Sequence, residues 1–339
     1  MKNRERVNRC AVCVLPENFP NVSFSPSGVC SLCQERVKDK GALARILKTE
    51  KKRLGDTING LKGRSSYDVL LCYSGGKDST YTLELLRRRY GLKVLAFTFD
   101  NGFLASGARR NIEVVTDALD VDHIWFKPSP RLLKGLFRRT MERNIFPPKA
   151  MERASAVCTS CIGLVKYTSL KTAIEKNIPM IAFGWSPGQA PPTSSVMRLS
   201  PMTLRFMEAT IKEPIIKVCG KAAERFFLEK KSYTSKKVFP VFIHPLSAQP
   251  YDEKKIFASV RRIGWKMPKG VELNATNCRL NILADEEHIH KYGYHPYAAE
   301  IAYLVRSGYM TRSEGIKHLK REKNKKIVAA LRKELRHGG

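Results

Sequence analysis

Val69-Leu70-Leu71-Cys72-Tyr73-Ser74-Gly75-Gly76-Lys77-Asp78-Ser79 decides how this chain is read. The apolar run 69–73 has the continuity of a strand buried on both faces, and Tyr81-Thr82-Leu83-Glu84-Leu85-Leu86 has the period of a helix. Two glycines at the junction let the backbone take positive φ and turn successive N–H groups toward one point, where a helix N-terminus adds partial positive charge. An anion fits there. Lys77 can neutralise phosphate, the hydroxyls of Ser74 and Ser79 can donate to its oxygens, and Asp78 can hold Mg²⁺ or cap the helix. The competing interpretation is an ordinary glycine-rich turn. The spacing is not that of a Walker loop, which needs four residues between its glycines and a Gly-Lys-Ser/Thr ending.

Working outward, the pattern alternates. It predicts strands over 67–73, 93–99, 123–126 and 180–183, with helices over 78–89, 109–119, 131–143 and 165–175 between them. Such alternation implies an α/β fold with a parallel, doubly wound sheet, and ligands collect at the carboxyl ends of its strands. Two further strand ends are therefore candidates. Phe99-Asp100-Asn101-Gly102 places Asp100 to hold Mg²⁺ or the attacking group, although Asp-Asn-Gly is also a common turn. Gly184-Trp185-Ser186 follows the strand 180–183 and is expected to rim the substrate or a base. Beyond residue 195 the chain reads as mostly helical, interrupted by a strand within 238–246 and followed by a helix over 253–263. A final helix over 311–336 is too charged to be core. The expected organisation is a cysteine segment at 1–36, a basic helical linker at 37–64, the nucleotide-type domain at 65–250 and a basic helical region at 251–339.

The chain has 339 residues, 43% of them apolar, and a formal charge of +30 spread over several basic stretches. A polyanionic partner such as RNA, or a phosphorylated substrate, accounts for that sum more simply than solubility does. No apolar run reaches the length of a membrane span, and Met1-Lys2-Asn3-Arg4-Glu5-Arg6 offers no signal-peptide core, so a cytoplasmic enzyme is expected.

Nine cysteines in such a chain point to metal or redox chemistry rather than disulfides. Cys10-x-x-Cys13 and Cys30-x-x-Cys33, 16 residues apart, have the spacing of a structural Zn²⁺ ribbon or knuckle. Cys158-x-x-Cys161 opens a predicted helix, and Cys278 lies far downstream. Three thiolates do not complete a tetrahedral zinc shell, but they can hold a [4Fe–4S] cluster with one iron open to sulfide. A redox pair or second zinc site competes for Cys158 and Cys161. Cys72 and Cys219 are expected to be buried small residues, and His288, His290 and His295 to be surface or packing residues.

Ser74 to Ser79 resembles the Ser-Gly-Gly-x-Asp-Ser signature of the PP-loop, or N-type, ATP pyrophosphatases. That resemblance implies cleavage of ATP between the α and β phosphates with AMP placed on a substrate oxygen. Lys77, Asp78 and Asp100 would be catalytic, and Ser74 to Ser79, Phe99 and Gly184 would line ATP and Mg²⁺. Within this superfamily two resemblances diverge. Arg9-Cys10-x-x-Cys13-Val14-Leu15-Pro16, Gly28-Val29-Cys30-x-x-Cys33, Phe99 to Gly102 and Arg306-Ser307-Gly308-Tyr309-Met310-Thr311-Arg312-Ser313-Glu314 resemble N-acetyl sugar amidotransferases of surface-polysaccharide synthesis, which imply a glutaminase partner supplying ammonia. The CxxC at Cys158 and Cys161 with Cys278 resembles the iron–sulfur tRNA thiolases, which imply a tRNA substrate and a sulfur donor. A homodimer is compatible with either. A third interpretation is a non-catalytic nucleic-acid-binding protein, against which the intact Lys77 and Asp78 weigh.

Overall fold

The computed structural model describes residues 8–37, 41–229, 239–320 and 325–336. The junction at 38–40, the basic run 230–237 and Gly338-Gly339 lie outside the described residues. Six strands form one sheet: β1 (Val69–Cys72), β2 (Val94–Phe99), β3 (Asp122–Phe126), β4 (Met180–Phe183), β5 (Val196–Met197) and β6 (Val241–Ile243). Their order is β3-β2-β1-β4-β6-β5, parallel except for β5, which runs antiparallel along β6. The expected parallel α/β sheet is present. Chain order leaves β1 toward β2 on one side and resumes at β4 on the other, so the crevice beyond the carboxyl ends of β1 and β4 is the switch point where such sheets bind ligands.

The strands are apolar on both faces because helices cover both. Val69, Leu71, Val94 and Ala96 point into one core, where α1 (Ala42–Leu61) brings Leu54 and Ile58, α2 (Lys77–Glu84) brings Leu83, and α3 (Ser106–Ala118) brings Ile112 and Val115. Leu70, Leu95 and Phe97 point into the other, against Leu133 and Phe137 of α4 (Pro130–Glu142) and Leu164 and Leu170 of α5 (Ala156–Glu175). The helices after residue 250 join the same two cores. Ile256 and Val260 of α6 (Glu253–Arg262) and Ile301 of α8 (Ala298–Arg306) enter the first, and Leu283 of α7 (Leu280–Tyr292) enters the second.

Two expectations change. The stretch 311–336 contains α9 (Arg312–His318) and α10 (Lys325–Arg336) rather than one described helix. Nor is α10 excluded from the core: Ile327, Val328, Leu331 and Leu335 share one helical face, and Leu331 and Leu335 are buried against α4 and α7 while the charges occupy the other side. The helix α1 is not a free-standing spacer, since Leu54 and Ile58 are fully buried and Glu50 accepts a hydrogen bond from Ser195 at 2.5 Å.

Candidate active site

The Ser74–Ser79 turn sits where the sequence places it, between β1 and α2 at the switch point. Gly75 has φ +72°, and a Cβ there would lie 2.6 Å from the Ala108 carbonyl oxygen, so both its conformation and its surroundings require glycine. Ser74 Oγ and Ser79 Oγ lie 3.1 Å apart, Ser79 Oγ donates to the Gly76 carbonyl at 3.1 Å, and Trp265 Nε1 donates to the Gly75 carbonyl at 2.9 Å. The turn is held from three directions and its two hydroxyls converge. Gly184 approaches from β4: a Cβ on it would lie 2.5 Å from Ser79 Cα, so glycine lets the end of β4 pass the start of α2.

Lys77 and Asp78 belong to a buried polar cluster that local sequence does not reveal. Lys77 Nζ donates to Asp78 Oδ2 and to the Tyr251 hydroxyl, each at 2.8 Å, and lies 3.2 Å from Glu253 Oε1. The Tyr251 hydroxyl also donates to Asp78 Oδ1 at 2.8 Å. Burial alone would lower the Lys77 pKa, but Asp78, Tyr251 and Glu253 together carry it well above its ordinary value. Burial would raise Glu253, yet His318, with Nε2 at 3.3 Å, and Lys77 hold it down to about 2. The ammonium is thus fixed beside the turn, with Asp78 as its nearest carboxylate.

The segment after residue 273 reaches the site from the far end of the sequence. Thr276 Oγ1 accepts from Lys77 N–H at 3.0 Å, satisfying a donor of the turn that an oxyanion would otherwise use. Ala105 N–H donates to the Asn277 carbonyl at 2.9 Å and Arg279 N–H to the Phe103 carbonyl at 3.0 Å, so residues 277–279 pair with the stretch beyond β2. That pairing delivers Cys278 to the other two cysteines. Asn101 Nδ2 donates to Cys278 Sγ at 3.4 Å and to Cys161 Sγ at 3.7 Å, and Cys158, one helical turn before Cys161 on α5, is within electrostatic reach of both. Ser155 caps α5 by accepting from Cys158 N–H at 3.2 Å. Burial pushes all three thiols upward, Cys161 to about 12. One residue, Asn277, separates Thr276, which bonds the Ser74–Ser79 turn, from Cys278 of the thiol set, so the sites adjoin.

Asp100 and Phe99 are engaged elsewhere. Asp100 is fully buried; its Oδ2 accepts from Arg109 Nη2 at 2.9 Å and Trp125 Nε1 at 3.3 Å, and its Oδ1 from Gly102 N–H at 2.9 Å. With both oxygens supplied by protein donors, it braces the turn that carries Asn101. The Phe99 ring packs on Phe126 at 5.9 Å inside the second core.

Sequence reasoning also missed Glu300. It accepts from Ser186 Oγ at 2.7 Å and is within electrostatic reach of Asp78 and Lys77; burial, opposed by the Ser186 bond and reinforced by Asp78, brings its pKa up to about 7. A carboxyl raised above its ordinary 4.5 favours the fold while protonated, and that contribution is withdrawn as pH rises through 7. Glu300→Gln should therefore flatten the decline of melting temperature between about pH 5 and pH 8. Parallel curves for the two chains would refute the raised pKa.

The four N-terminal cysteines form a separate centre. Their sulfurs all lie within 4.8 Å of one another, with Cys10 to Cys33 at 3.8 Å and Cys13 to Cys30 at 3.6 Å. A tetrahedral Zn²⁺ with bonds of about 2.3 Å sets its sulfurs about 3.8 Å apart. The set therefore fits the ion. Val12 N–H and Cys30 N–H point at Cys10 Sγ, and Arg306 Nη1 lies 3.4 Å from Cys13 Sγ, as a thiolate-rich centre requires. Cys158, Cys161 and Cys278 are held differently: Asn101 Nδ2 donates to Cys161 and Cys278, and Cys158 Sγ donates to Asn281 Oδ1 at 3.5 Å.

No protein-family model matches the chain. It is similar to an uncharacterized protein of Methanocaldococcus jannaschii, 23% identical over 333 residues that cover 98% of this chain and 99% of that one. Among solved structures it resembles the U34-tRNA thiolase NcsA of Methanococcus maripaludis, determined with its [4Fe–4S] cluster, at 18% identity and a TM-score of 0.39, with 94% and 91% of the two chains covered. It also resembles the NH3-dependent NAD synthetase of Campylobacter jejuni, at 10% identity and a TM-score of 0.36, with 87% and 94% covered. Scores of this size describe a loose likeness, and the chemistry of the site is read from its own geometry.

Proposed function

We propose that this chain is a PP-loop ATP pyrophosphatase that adenylates an oxygen of its substrate and replaces it with sulfur, the substrate being a tRNA base. ATP would lie with its phosphates on the Ser74–Ser79 turn, its Mg²⁺ held by Asp78, which keeps 23% of its side-chain exposure where Asp100 keeps none and so has a face open to the ion beside its bonds to Lys77 and Tyr251. The substrate oxygen attacks the α phosphorus, forming a carbon–oxygen–phosphorus link, and the bond to the β phosphate breaks. Lys77 neutralises the departing pyrophosphate, which makes charge stabilisation the main catalytic term. The adenylated carbon is then electrophilic; sulfide from the donor bonds to it, and the original oxygen departs in AMP. A [4Fe–4S] cluster held by Cys158, Cys161 and Cys278 would supply an open iron for that sulfide.

One observation carries the sulfur step: Cys278, more than a hundred residues along the chain from Cys158 and Cys161, shares the Asn101 amide with Cys161 and lies two positions after Thr276, which bonds the Ser74–Ser79 turn. The +30 charge supports RNA as substrate. Anaerobic purification with iron and acid-labile sulfide analysis tests it. About four irons and four sulfides per chain are expected, lost in Cys278→Ser while ATP–pyrophosphate exchange persists. A colourless protein carrying zinc without iron, even after anaerobic reconstitution, would overturn the sulfur step. The sugar amidotransferase reading would then take its place. It has support of its own, because Arg306 and Arg312, both in the segment shared with that family, bind the Cys10–Cys33 centre.

A further inference from the structure

Next to Cys158, joined to it through Asn281, lies a second polar cluster. Glu272 from the loop before α7, Asp285 within α7 and His295 just before α8 present ligand atoms that all lie within 4.8 Å of one another. Asp285 and His295 are buried, at 3% and 7% exposure, and Glu272 is half-buried. Asn281, one turn before Asp285, donates through Nδ2 to Asp285 Oδ2 at 2.8 Å and to Glu272 Oε2 at 3.4 Å, so one amide orients both carboxylates.

Among the described residues no lysine or arginine pairs with either carboxylate. Asp285 Oδ1 is buried with no donor, and His295 Nε2 stands 3.7 Å from Asp285 Oδ2, too far for a hydrogen bond. Two neighbouring carboxylates in a buried place repel one another and are poorly solvated, so the pair must share a proton or face a cation. A divalent cation balances two carboxylates and a neutral imidazole to zero net charge, which removes most of the cost of burying them. We propose that Glu272, Asp285 and His295 form a binding site for a divalent cation of the Mn²⁺ or Zn²⁺ type, distinct from both cysteine centres.

The donor set of one imidazole and two carboxylates suits those ions, and water can complete the shell on the half-exposed Glu272 side. Asn281 is the outer partner that orients the ligands. Its Oδ1 accepts from the Tyr297 hydroxyl at 3.0 Å and from Cys158 Sγ at 3.5 Å, so the cation site is tied to the thiol set through one side chain. The site also pins the start of the segment that carries Thr276 and Cys278: Glu272 pairs with Ala275 in a short bridge just before them. In the described geometry His295 Nδ1 accepts from Tyr297 N–H at 3.2 Å, which leaves the ring proton on Nε2. Ligation through Nε2 moves that proton to Nδ1 and opens the long Tyr297 contact.

The test uses the full chain with its four-cysteine centre intact, titrated with Mn²⁺ and followed by electron paramagnetic resonance. One Mn²⁺ per chain is expected to bind, at least tenfold more weakly in Glu272→Gln and Asp285→Asn, and with unchanged affinity in Asp78→Asn, which removes a carboxylate of the phosphate turn. Glu272→Gln, on the half-exposed residue, keeps the test valid if Asp285→Asn does not fold. No Mn²⁺ uptake, or uptake that survives Glu272→Gln and disappears in Asp78→Asn, overturns the site. None of these readouts depends on adenylation or sulfur transfer, so failure here leaves the proposed function standing and the reverse also holds.

Discussion

Lys77→Met is expected to abolish pyrophosphate release, by at least about 10²- to 10³-fold, the usual consequence of removing a single group that stabilises developing charge. It should also destabilise the fold. The ammonium is 7% exposed and compensates Asp78 and Glu253, and removing one partner of a buried ion pair leaves the others uncompensated. Because Asp78 and Glu253 keep 23% and 24% of their side-chain exposure, water screens part of that penalty, and a loss of about 2–3 kcal/mol is expected rather than the full value for an enclosed pair. The double variant separates the two roles. Adding Glu253→Gln removes a surplus negative charge and should restore much of the lost stability, whereas turnover stays absent because no group replaces the ammonium. Thermal melts and pyrophosphate release measured on the same three chains decide the matter. Normal turnover in Lys77→Met would remove this residue from the chemistry, and an unchanged melting temperature would show that the cluster with Tyr251 and Glu253 does not hold the fold.

The coupling has a sign that pH can read. Glu253 titrates near 2 in the fold instead of its ordinary 4.5, so its share of stability is complete above about pH 4.5 and is lost as pH falls toward 2. Glu300 runs the other way, and the two carboxyls flank the same lysine-aspartate pair. One stabilises the ammonium, and the other, beside Ser186, changes its charge near neutrality.

The framework of this arrangement was legible because it is local. A continuous apolar run such as 69–72 followed by Gly75-Gly76 and a helical period defines a strand, a turn and a helix within some twenty residues, and β2, β3 and β4 alternate with helices in the same way, whereas the two-residue, antiparallel β5 left no such signal. The two CxxC pairs at the N-terminus were equally legible, since a 16-residue interval leaves few ways for four thiols to meet. What completes the site is not local. Thr276 meets Lys77 across 199 positions and Tyr251 across 174, contacts made by the packing of α6 and of the loop before α7. No period or spacing encodes such a meeting. Sequence alone left open whether Cys278 reaches Cys158 and Cys161; the strand-like pairing of 277–279 with 103–105 brings it to Asn101, whose amide also bonds Cys161. Asp100 shows the opposite limit. Its position after β2 suggested an open carboxylate, but Arg109, one helical turn into α3, and Trp125 on β3 take up its oxygens. Likewise the charge of the last helix hid the apolar face of Leu331 and Leu335, because composition averages over a helix whereas burial selects one side.

The second large effect is expected from the N-terminal centre. Cys10→Ser should lower the melting temperature by about 5 °C or more and reduce the zinc content of the purified chain, because a short segment closed by a metal has little else to hold it. The loss should not stay local. Arg306 of α8 lies against Cys13 Sγ, Arg312 of α9 donates to the Cys10 carbonyl at 3.3 Å, and Phe19 packs on Tyr294 at 5.0 Å. From α9, His318 meets Glu253 at 3.3 Å and Asn274 at 2.8 Å, and these lead to Lys77 and to the segment carrying Thr276 and Cys278. Losing the centre should therefore loosen α8 and α9 and misplace the lysine cluster, although Lys77 lies 44 positions along the chain from Cys33, the nearest cysteine of the centre. Cys219→Ser, a change in a half-buried thiol belonging to neither cysteine set, serves as the control and should leave both metal content and melting temperature near those of the parent chain. Amide hydrogen exchange distinguishes the two ways the prediction can fail. Faster exchange confined to residues 8–37 would mean that the metal holds only its own segment, and protection unchanged throughout would mean that the four thiols need no metal to keep their place.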